Sequence, residues 1–413
     1  MTERSATLER ILEITRELAR PLDLDTLLAR VVAAALDILD AERASVFLYD
    51  QAADVLVSRV ATGAPELRIP ANRGFAGESV RTRQVVLVPD AYADPRFNPD
   101  VDKSTGYRTR CILTIPLIGQ DETLVGVLQV LNKRSGAFGD DDVGVATALG
   151  ASCAVAIQRM RLLEDLLAKQ RMERELAVAR EIQMRVLPKT MPTLAGYEIA
   201  GWSRPADQTG GDIFDVIAAE REVVLLLGDA TGHGIGPALS VTQVRAMLRM
   251  ARRLGAGLDD AFRHINDQLA DDLSSNRFVT AFLGILDPAA HRLVYHAGGQ
   301  GPILHFHAAT SKTTLESATT LPLGMMPMRE VGAPREVALA PGDVFAAITD
   351  GIFEYEASEG GMYGEKRTVS MLRRNASASA AEILRRIVKD VEAFASGAPQ
   401  LDDMTLLIVK RTA

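Results

Sequence analysis

The sequence predicts an α+β protein in which one long helix joins two strand-rich units of unequal size. Three observations carry this. Short apolar segments separated by Gly, Asp and Pro turns recur through residues 44–131 and again from 223 onward. Between them, residues 154–187 keep a helical pattern that no breaker interrupts before Pro188 and Pro192. At 413 residues the chain is also long enough for two or three domains, each with its own core.

Taken in order, residues 5–39 read as helical with a break at Pro21. Leu8, Ile11, Leu12 and Ile14 form one apolar face; Leu27, Leu28, Val31, Val32 and Leu36 form another, entered through Asp23 or Asp25 as a cap. Segments 44–49, 55–60, 85–89, 111–117 and 124–131 then read as strands, and 140–160 returns to helix. Residues 1–22 are thus an N-terminal helix, and 23–160 an α+β domain of sensory size. Along the helix 154–187, which carries into the linker, 161–190, Met160, Leu163 and Leu167 follow coiled-coil spacing. Met172, Leu176, Ala179 and Ile182 resume it after a five-residue skip, with charged residues between them. Such a helix reaches roughly 50 Å and calls for a partner, so a homodimer through 154–187 is expected. In the last domain, 191–413, segments 223–227, 278–286, 292–297, 303–307, 344–348 and 404–409 read as strands. Helices are expected at 237–253, 258–273 and 380–395. Adjacent strands outnumber helices, so the sheets should be antiparallel with helices outside.

A net charge of −8 argues against nonspecific binding to nucleic acid or anionic membrane. Cys111 and Cys153 are the two cysteines, each in apolar surroundings, which suits buried thiols in a reducing compartment. The charged start lacks a signal-peptide core, and no apolar run approaches the length of a membrane span. A cytoplasmic protein is expected.

Four acidic clusters carry the chemistry: Gly210-Gly211-Asp212-Ile213-Phe214-Asp215, Gly228-Asp229-Ala230-Thr231-Gly232-His233-Gly234, Thr349-Asp350-Gly351 and Asp402-Asp403-Met404-Thr405. Each adjoins an apolar strand. Gathered in one place, such carboxylates need divalent cations, and hard cations such as Mg²⁺ or Mn²⁺ take oxygen ligands. Asp229 should project from the end of a buried strand. Gly232 and Gly234 allow the following turn, Pro237 opens the next helix, and the Ala230 carbonyl can add a further oxygen. His233 fits a turn as well as a proton donor and receives no catalytic role. Singly each motif is weak; jointly and in this order they are specific.

The ordered set resembles the metal-dependent Ser/Thr protein phosphatases (the PPM superfamily), in the bacterial branch of SpoIIE and RsbU. The likeness covers about residues 179–411 and includes Ile182-Gln183, Val186-Leu187-Pro188, Arg204-Pro205-Ala206 and Leu321-Pro322-Leu323-Gly324. It implies an α-β-β-α sandwich and two Mn²⁺ or Mg²⁺ ions held by Asp212, Asp229, Asp350, Asp402 and the Ala230 carbonyl. Asp215 and Asp403 would stand just behind these ligands. It also implies hydrolysis of phosphoserine or phosphothreonine by an activated water, on a regulatory protein such as an anti-sigma-factor antagonist. Where relatives have Asn-Ala-Gly-His, this chain has His296-Ala297-Gly298-Gly299, a departure bearing on substrate fit.

The first domain resembles GAF sensory domains over about residues 23–162. The likeness rests on Gly74-Phe75-Ala76-Gly77-Glu78, Asp94-Pro95-Arg96-Phe97, Thr105-Gly106-Tyr107-Arg108-Thr109 and the segment 125–133. Asn132, Lys133, Phe138 and Asp142 extend it toward a cyclic-nucleotide signature, although Val143 stands at the final acidic position. A nucleotide site and a strand end plugged by Phe138 both fit. Two rival functions are a diguanylate cyclase, which Gly-Gly-Asp alone suggests, and an inactive scaffold that docks a partner. The cyclase leaves the other Asp clusters unexplained, and a scaffold has no need of four converging carboxylates.

Overall fold

The computed structural model describes residues 23–61, 67–97, 99, 102, 103, 106–274, 276–358 and 360–413, with Glu13 and Arg16. The helix expected over 1–22 otherwise lies outside the described residues, as does Thr105. Two compact units divide the chain, Met1–Arg171 and Met172–Ala413.

In the first unit, α1 (Leu24–Ile38) is capped by Asp23, whose carboxylate accepts from the Thr26 amide at 2.9 Å. Strands β1 (Ala41–Asp50), β2 (Val55–Ala61), β3 (Leu67–Pro70), β4 (Val86–Val88), β5 (Ile112–Ile118) and β6 (Leu124–Lys133) form one sheet in the order β3-β2-β1-β6-β5-β4. Every neighbouring pair is antiparallel. Leu28, Val31 and Ala35 of α1 pack on one face of the sheet with Val46, Leu113 and Leu128. Leu149, Cys153 and Ile157 join them from α3 (Asp140–Val186), the long helix. Both cysteines are free and buried, and burial pushes the Cys153 thiol up to about 12. β3 and the short helix α2 (Gly74–Thr82) were not legible in the sequence. Two glycines leave α2 little intrinsic propensity, and it is held instead by Phe75 and Ala76 against the sheet's other face.

Two expectations for α3 are corrected. Met160 does not start an exposed seam; it is buried in the core of the first unit. And α3 does contain an 18-residue stretch apolar enough, at mean hydropathy 1.3, to pass for a membrane span. Of that stretch 44% is buried, because its apolar face is the one packed on the sheet. From Leu162 to Ile182, however, Leu163, Leu167 and Met172 are exposed.

The second unit stacks two five-stranded antiparallel sheets between helices. One sheet, in the order β14-β11-β10-β9-β8, contains β8 (Asp212–Ala218), β9 (Val223–Ala230), β10 (Val279–Asp287), β11 (Arg292–Gly298) and β14 (Arg335–Ala338). The other, β13-β12-β15-β16-β7, contains β7 (Tyr197–Arg204), β12 (Ile303–His307), β13 (Lys312–Glu316), β15 (Val344–Ile348) and β16 (Met404–Arg411). Helices α4 (Ile235–Arg253) and α5 (Leu258–Asp272) cover the first sheet. The second is covered by α7 (Glu365–Asn375) and α8 (Ala380–Ala395), while α6 (Asp350–Phe353) is a single turn.

The continuous apolar run of β9 follows from burial on both faces. Val223, Leu225 and Leu227 enter the core between the sheets, with Phe282, Tyr295 and Phe345. Val224 and Leu226 face α4 and α5. β15 alternates likewise, Phe345 and Ala347 inward, Val344, Ala346 and Ile348 toward α7 and α8. These two-sided strands are rigid, and the acidic clusters lie at their ends.

Candidate metal centre

Asp212 opens β8 and Asp229 lies one residue from the end of β9; the register makes them direct cross-strand partners. Asp350 heads α6 immediately beyond β15, and Asp402 and Asp403 lead into β16. Pairing of β15 with β16 sets Ile348 opposite Leu406, which brings those two ends side by side. The turn after β9 forms as expected, with Gly232 and Gly234 both at positive φ (89° and 93°). Pro237 stands within the first turn of α4, where its missing N–H costs nothing.

Asp212 is buried, and Thr349 Oγ1 donates to its Oδ2 at 2.8 Å. The Thr349 hydroxyl in turn accepts from the Thr405 amide at 2.9 Å, so one side chain couples the β15 and β16 ends to Asp212. Asp403 is also buried and binds backbone: it accepts from the amides of Ala206 (2.6 Å) and Asp212 (3.2 Å). Gly351 is required beside it, because a Cβ there would stand 1.9 Å from the Asp403 carbonyl oxygen. Gln300, buried, donates to the Ile348 carbonyl at 2.9 Å and accepts from Thr280, the cross-strand partner of Asp229.

The carboxylates perturb one another. Burial, then the charge of Asp229, raises Asp212 well above the usual range. Asp229 is raised to about 7, first by burial and then by Asp350, Asp402 and Asp403. Asp350 and Asp402 rise as well, each first through desolvation, with Asp402 adding to Asp350 and Asp403 to Asp402. Such mutual elevation marks charges gathered without enough compensation. The structure therefore brings together Asp212, Asp229, Asp350, Asp402 and Asp403, with Ala230 on the same strand as Asp229.

Asp215 is placed elsewhere. Three residues along β8 from Asp212, it faces α4, fully buried against Arg249 (2.5 and 2.8 Å) and Arg245 (2.9 Å). Strand alternation sends it to the opposite face, so it anchors a helix and does not back the ligands. His296, in the motif departure, is buried in hydrogen-bond contact with Asp259 (2.7 Å). Sequence reasoning assigned no role to Thr349 or Gln300. It cited Gln183 only as part of a motif, yet this buried side chain donates to the Gly210 carbonyl (2.6 Å) and accepts from the Gly210 amide (3.0 Å). Gln183 belongs to the last turn of α3, so the helix grips the loop that leads into Asp212.

In the first unit, Asn132, Lys133, Phe138 and Asp142 are close but occupied. Asn132 takes a left-handed conformation (φ 55°), which Asn tolerates. Its side chain accepts from the Arg110 amide (2.6 Å) and donates to Glu42 (3.0 Å) and the Arg108 carbonyl (2.9 Å). Lys133 pairs with Asp142 (2.6 Å), which also accepts from the Gly139 amide (2.9 Å). Phe138 is core.

An antiparallel sandwich between helices thus carries an oxygen-only donor set at its strand ends. Residues 219–412 match the family described as Stage II sporulation protein E (SpoIIE), and residues 23–157 match the GAF domain family. The chain thus carries a SpoIIE-type PP2C phosphatase domain behind an N-terminal GAF domain. Its fold is similar to that of the SiaA PP2C domain of Pseudomonas aeruginosa (TM-score 0.52, 24% identity, 59% of this chain and 98% of that one). A further match is to the RsbU and RsbW domains of Rv1364c from Mycobacterium tuberculosis (TM-score 0.47, 27% identity, 55% and 63%). Among curated proteins, the cGMP-specific 3′,5′-cyclic phosphodiesterase of Drosophila melanogaster is 30% identical over 174 residues, 38% of this chain. The chain spans only 16% of that relative's length.

Proposed function

We propose that this chain hydrolyses phosphoserine or phosphothreonine on a regulatory protein, an anti-sigma-factor antagonist, in the cytoplasm and under the control of its GAF unit. One observation carries the reading above the others: the Asp212–Asp229 cross-strand pair, elevated together with Asp350 and Asp402. The donor set fits two hard divalent cations, Mn²⁺ or Mg²⁺, because every donor is oxygen and the crowded charges call for positive compensation. Asp212, Asp229, Asp350, Asp402 and the Ala230 carbonyl would hold them, with Thr349 and Asp403 fixing Asp212. Bound there, such cations supply Lewis-acid activation of water and neutralise phosphoryl oxygens. A cavity of about 220 Å³ lined by Gly351, Glu354, Tyr355, Met362, Leu401 and Asp402 adjoins the centre and offers room for the residues flanking a phosphorylated side chain.

Control through α3 is supported by the grip of Gln183 on Gly210, two residues before Asp212. The exposed Leu163, Leu167 and Met172 support pairing of α3 with a second copy. For the GAF unit, a relay through α3 fits better than a cyclic nucleotide held by Asn132, Lys133, Phe138 and Asp142, since those side chains bind one another and their own backbone. The substrate reading is tested by comparing release of phosphate from phosphoserine, phosphothreonine and phosphotyrosine peptides. Equal or preferred turnover of phosphotyrosine would overturn it.

A further inference from the structure

A second group of ligating side chains lies at the far end of the sandwich. His305 and His307 alternate along β12 and so project to one face, while Asp343 directly precedes β15. One ligating atom from each lies within 4.8 Å of the other two. His305 and Asp343 are buried and His307 is half-buried, so the group opens to solvent through His307. Asp343 is already held in place: its oxygens accept from the amides of Ala308 (2.8 Å) and Ala340 (3.0 Å). His305 Nε2 stands 3.3 Å from Asp343 Oδ2. That is beyond the roughly 2.7–3.2 Å of a good N–H···O bond. It is close to the ~3.4 Å edge of a tetrahedral site whose zinc–ligand bonds are about 2.0–2.2 Å.

The position is separate from the carboxylate centre. Phe306 pairs with Val344 and Leu304 with Ala346, so the histidines flank the start of β15. Asp350 follows the other end of that strand, and the extended chain between spans roughly 20 Å.

We infer that His305, His307 and Asp343 form a cation site of zinc type. There the ion clips the β12–β13 hairpin to the turn at residues 340–343. Two imidazoles and one carboxylate suit Zn²⁺ or Co²⁺ and not Mg²⁺, with water completing a tetrahedron. The site does not depend on the phosphatase reading, and its test keeps the two apart. The full chain carrying Asp229→Ala, which cripples the carboxylate centre, is titrated with Zn²⁺ and with Co²⁺. One tightly held ion per chain is expected, with the strong visible bands of tetrahedral cobalt. Adding His307→Gln, a change at a half-buried ring, should weaken binding at least tenfold and remove the bands while the melting curve of the metal-free protein stays unchanged. His305→Gln should do the same to binding. The comparison is repeated without Asp229→Ala in excess Mg²⁺, in case that variant folds poorly. Zinc uptake that both histidine variants leave unchanged would overturn the inference, and so would no uptake at all.

Discussion

Asp212 and Asp229 face each other as direct partners on adjacent antiparallel strands, one buried beneath Thr349 and the other raised to about 7. Two like charges directly opposite in a sheet are destabilising, and the strands that hold them are packed on both faces and cannot spread. The centre therefore holds a repulsion that bound cations would relieve.

This has a pH signature. Asp229 has a folded-state pKa raised to about 7, against about 3.9 when unfolded. With the folded pKa above the unfolded one, the unfolded state loses its proton first as pH rises. Stability of the cation-free protein should fall from about pH 4 to about pH 7 and level off above. Melting temperatures in chelator across that range should show the decline. Asp229→Asn should shrink it, Asp212, Asp350 and Asp402 being raised as well, and saturating Mn²⁺ should lift the melting temperature most at the upper end.

Thr349→Val keeps the shape of the side chain but removes its hydrogen bonds to Asp212 and Thr405. A buried amide left unsatisfied costs about 1–3 kcal/mol, and loss of a group that orients a metal ligand weakens binding about 10–100-fold. Cation titrations of the variant should show that weakening, with activity recovering at high Mn²⁺. An unchanged cation affinity would remove Thr349 from the centre.

Gln183→Ala should act on the same loop from the α3 side. It breaks both contacts with Gly210, so turnover should fall about tenfold or more by the same orienting logic, while the unpaired buried groups of Gly210 lower stability by about 1–3 kcal/mol and leave the fold intact. Activity at the native level would make α3 a passive tether.

Asn132→Ala should unfold the GAF unit more readily and not merely weaken ligand binding. Its side chain satisfies part-buried backbone groups of Arg108 and Arg110 and the buried amide of Cys111, and the buried one left unpaired costs about 1–3 kcal/mol. Calorimetry with cyclic AMP and cyclic GMP on the intact chain should show no heat. Saturable binding lost in Asp142→Ala would restore the nucleotide reading.

Much of this was legible in sequence because the strands β9, β15 and β16 are largely apolar runs with Asp at one end. The strand β8 was not, since Asp212 and Asp215 interrupt its apolar pattern, and β13 and β14 are short, polar edge strands. The convergence of Asp212, Asp229, Asp350 and Asp402 was implied by the family resemblance, and for Asp229, Asp350 and Asp402 also by their place at the ends of legible strands. Asp215 misled because proximity in sequence says nothing about face, which alternates along a strand. Thr349 and Gln300 carry no signal of their own; only the register that sets Thr349 beside Thr405 and Gln300 beside Ile348 reveals them.

The most direct test is hydrolysis of an aryl phosphate and a phosphoserine peptide by the purified full chain, with Mn²⁺, with Mg²⁺ and with chelator, beside Asp229→Ala and Asp350→Ala. Activity should require the cation, vanish in chelator, return on adding metal, and drop more than ~100-fold in each variant, beyond the usual loss for an orienting group. Turnover that chelator leaves unchanged, or that Asp229→Ala retains at the native level, would contradict a phosphatase built on these carboxylates.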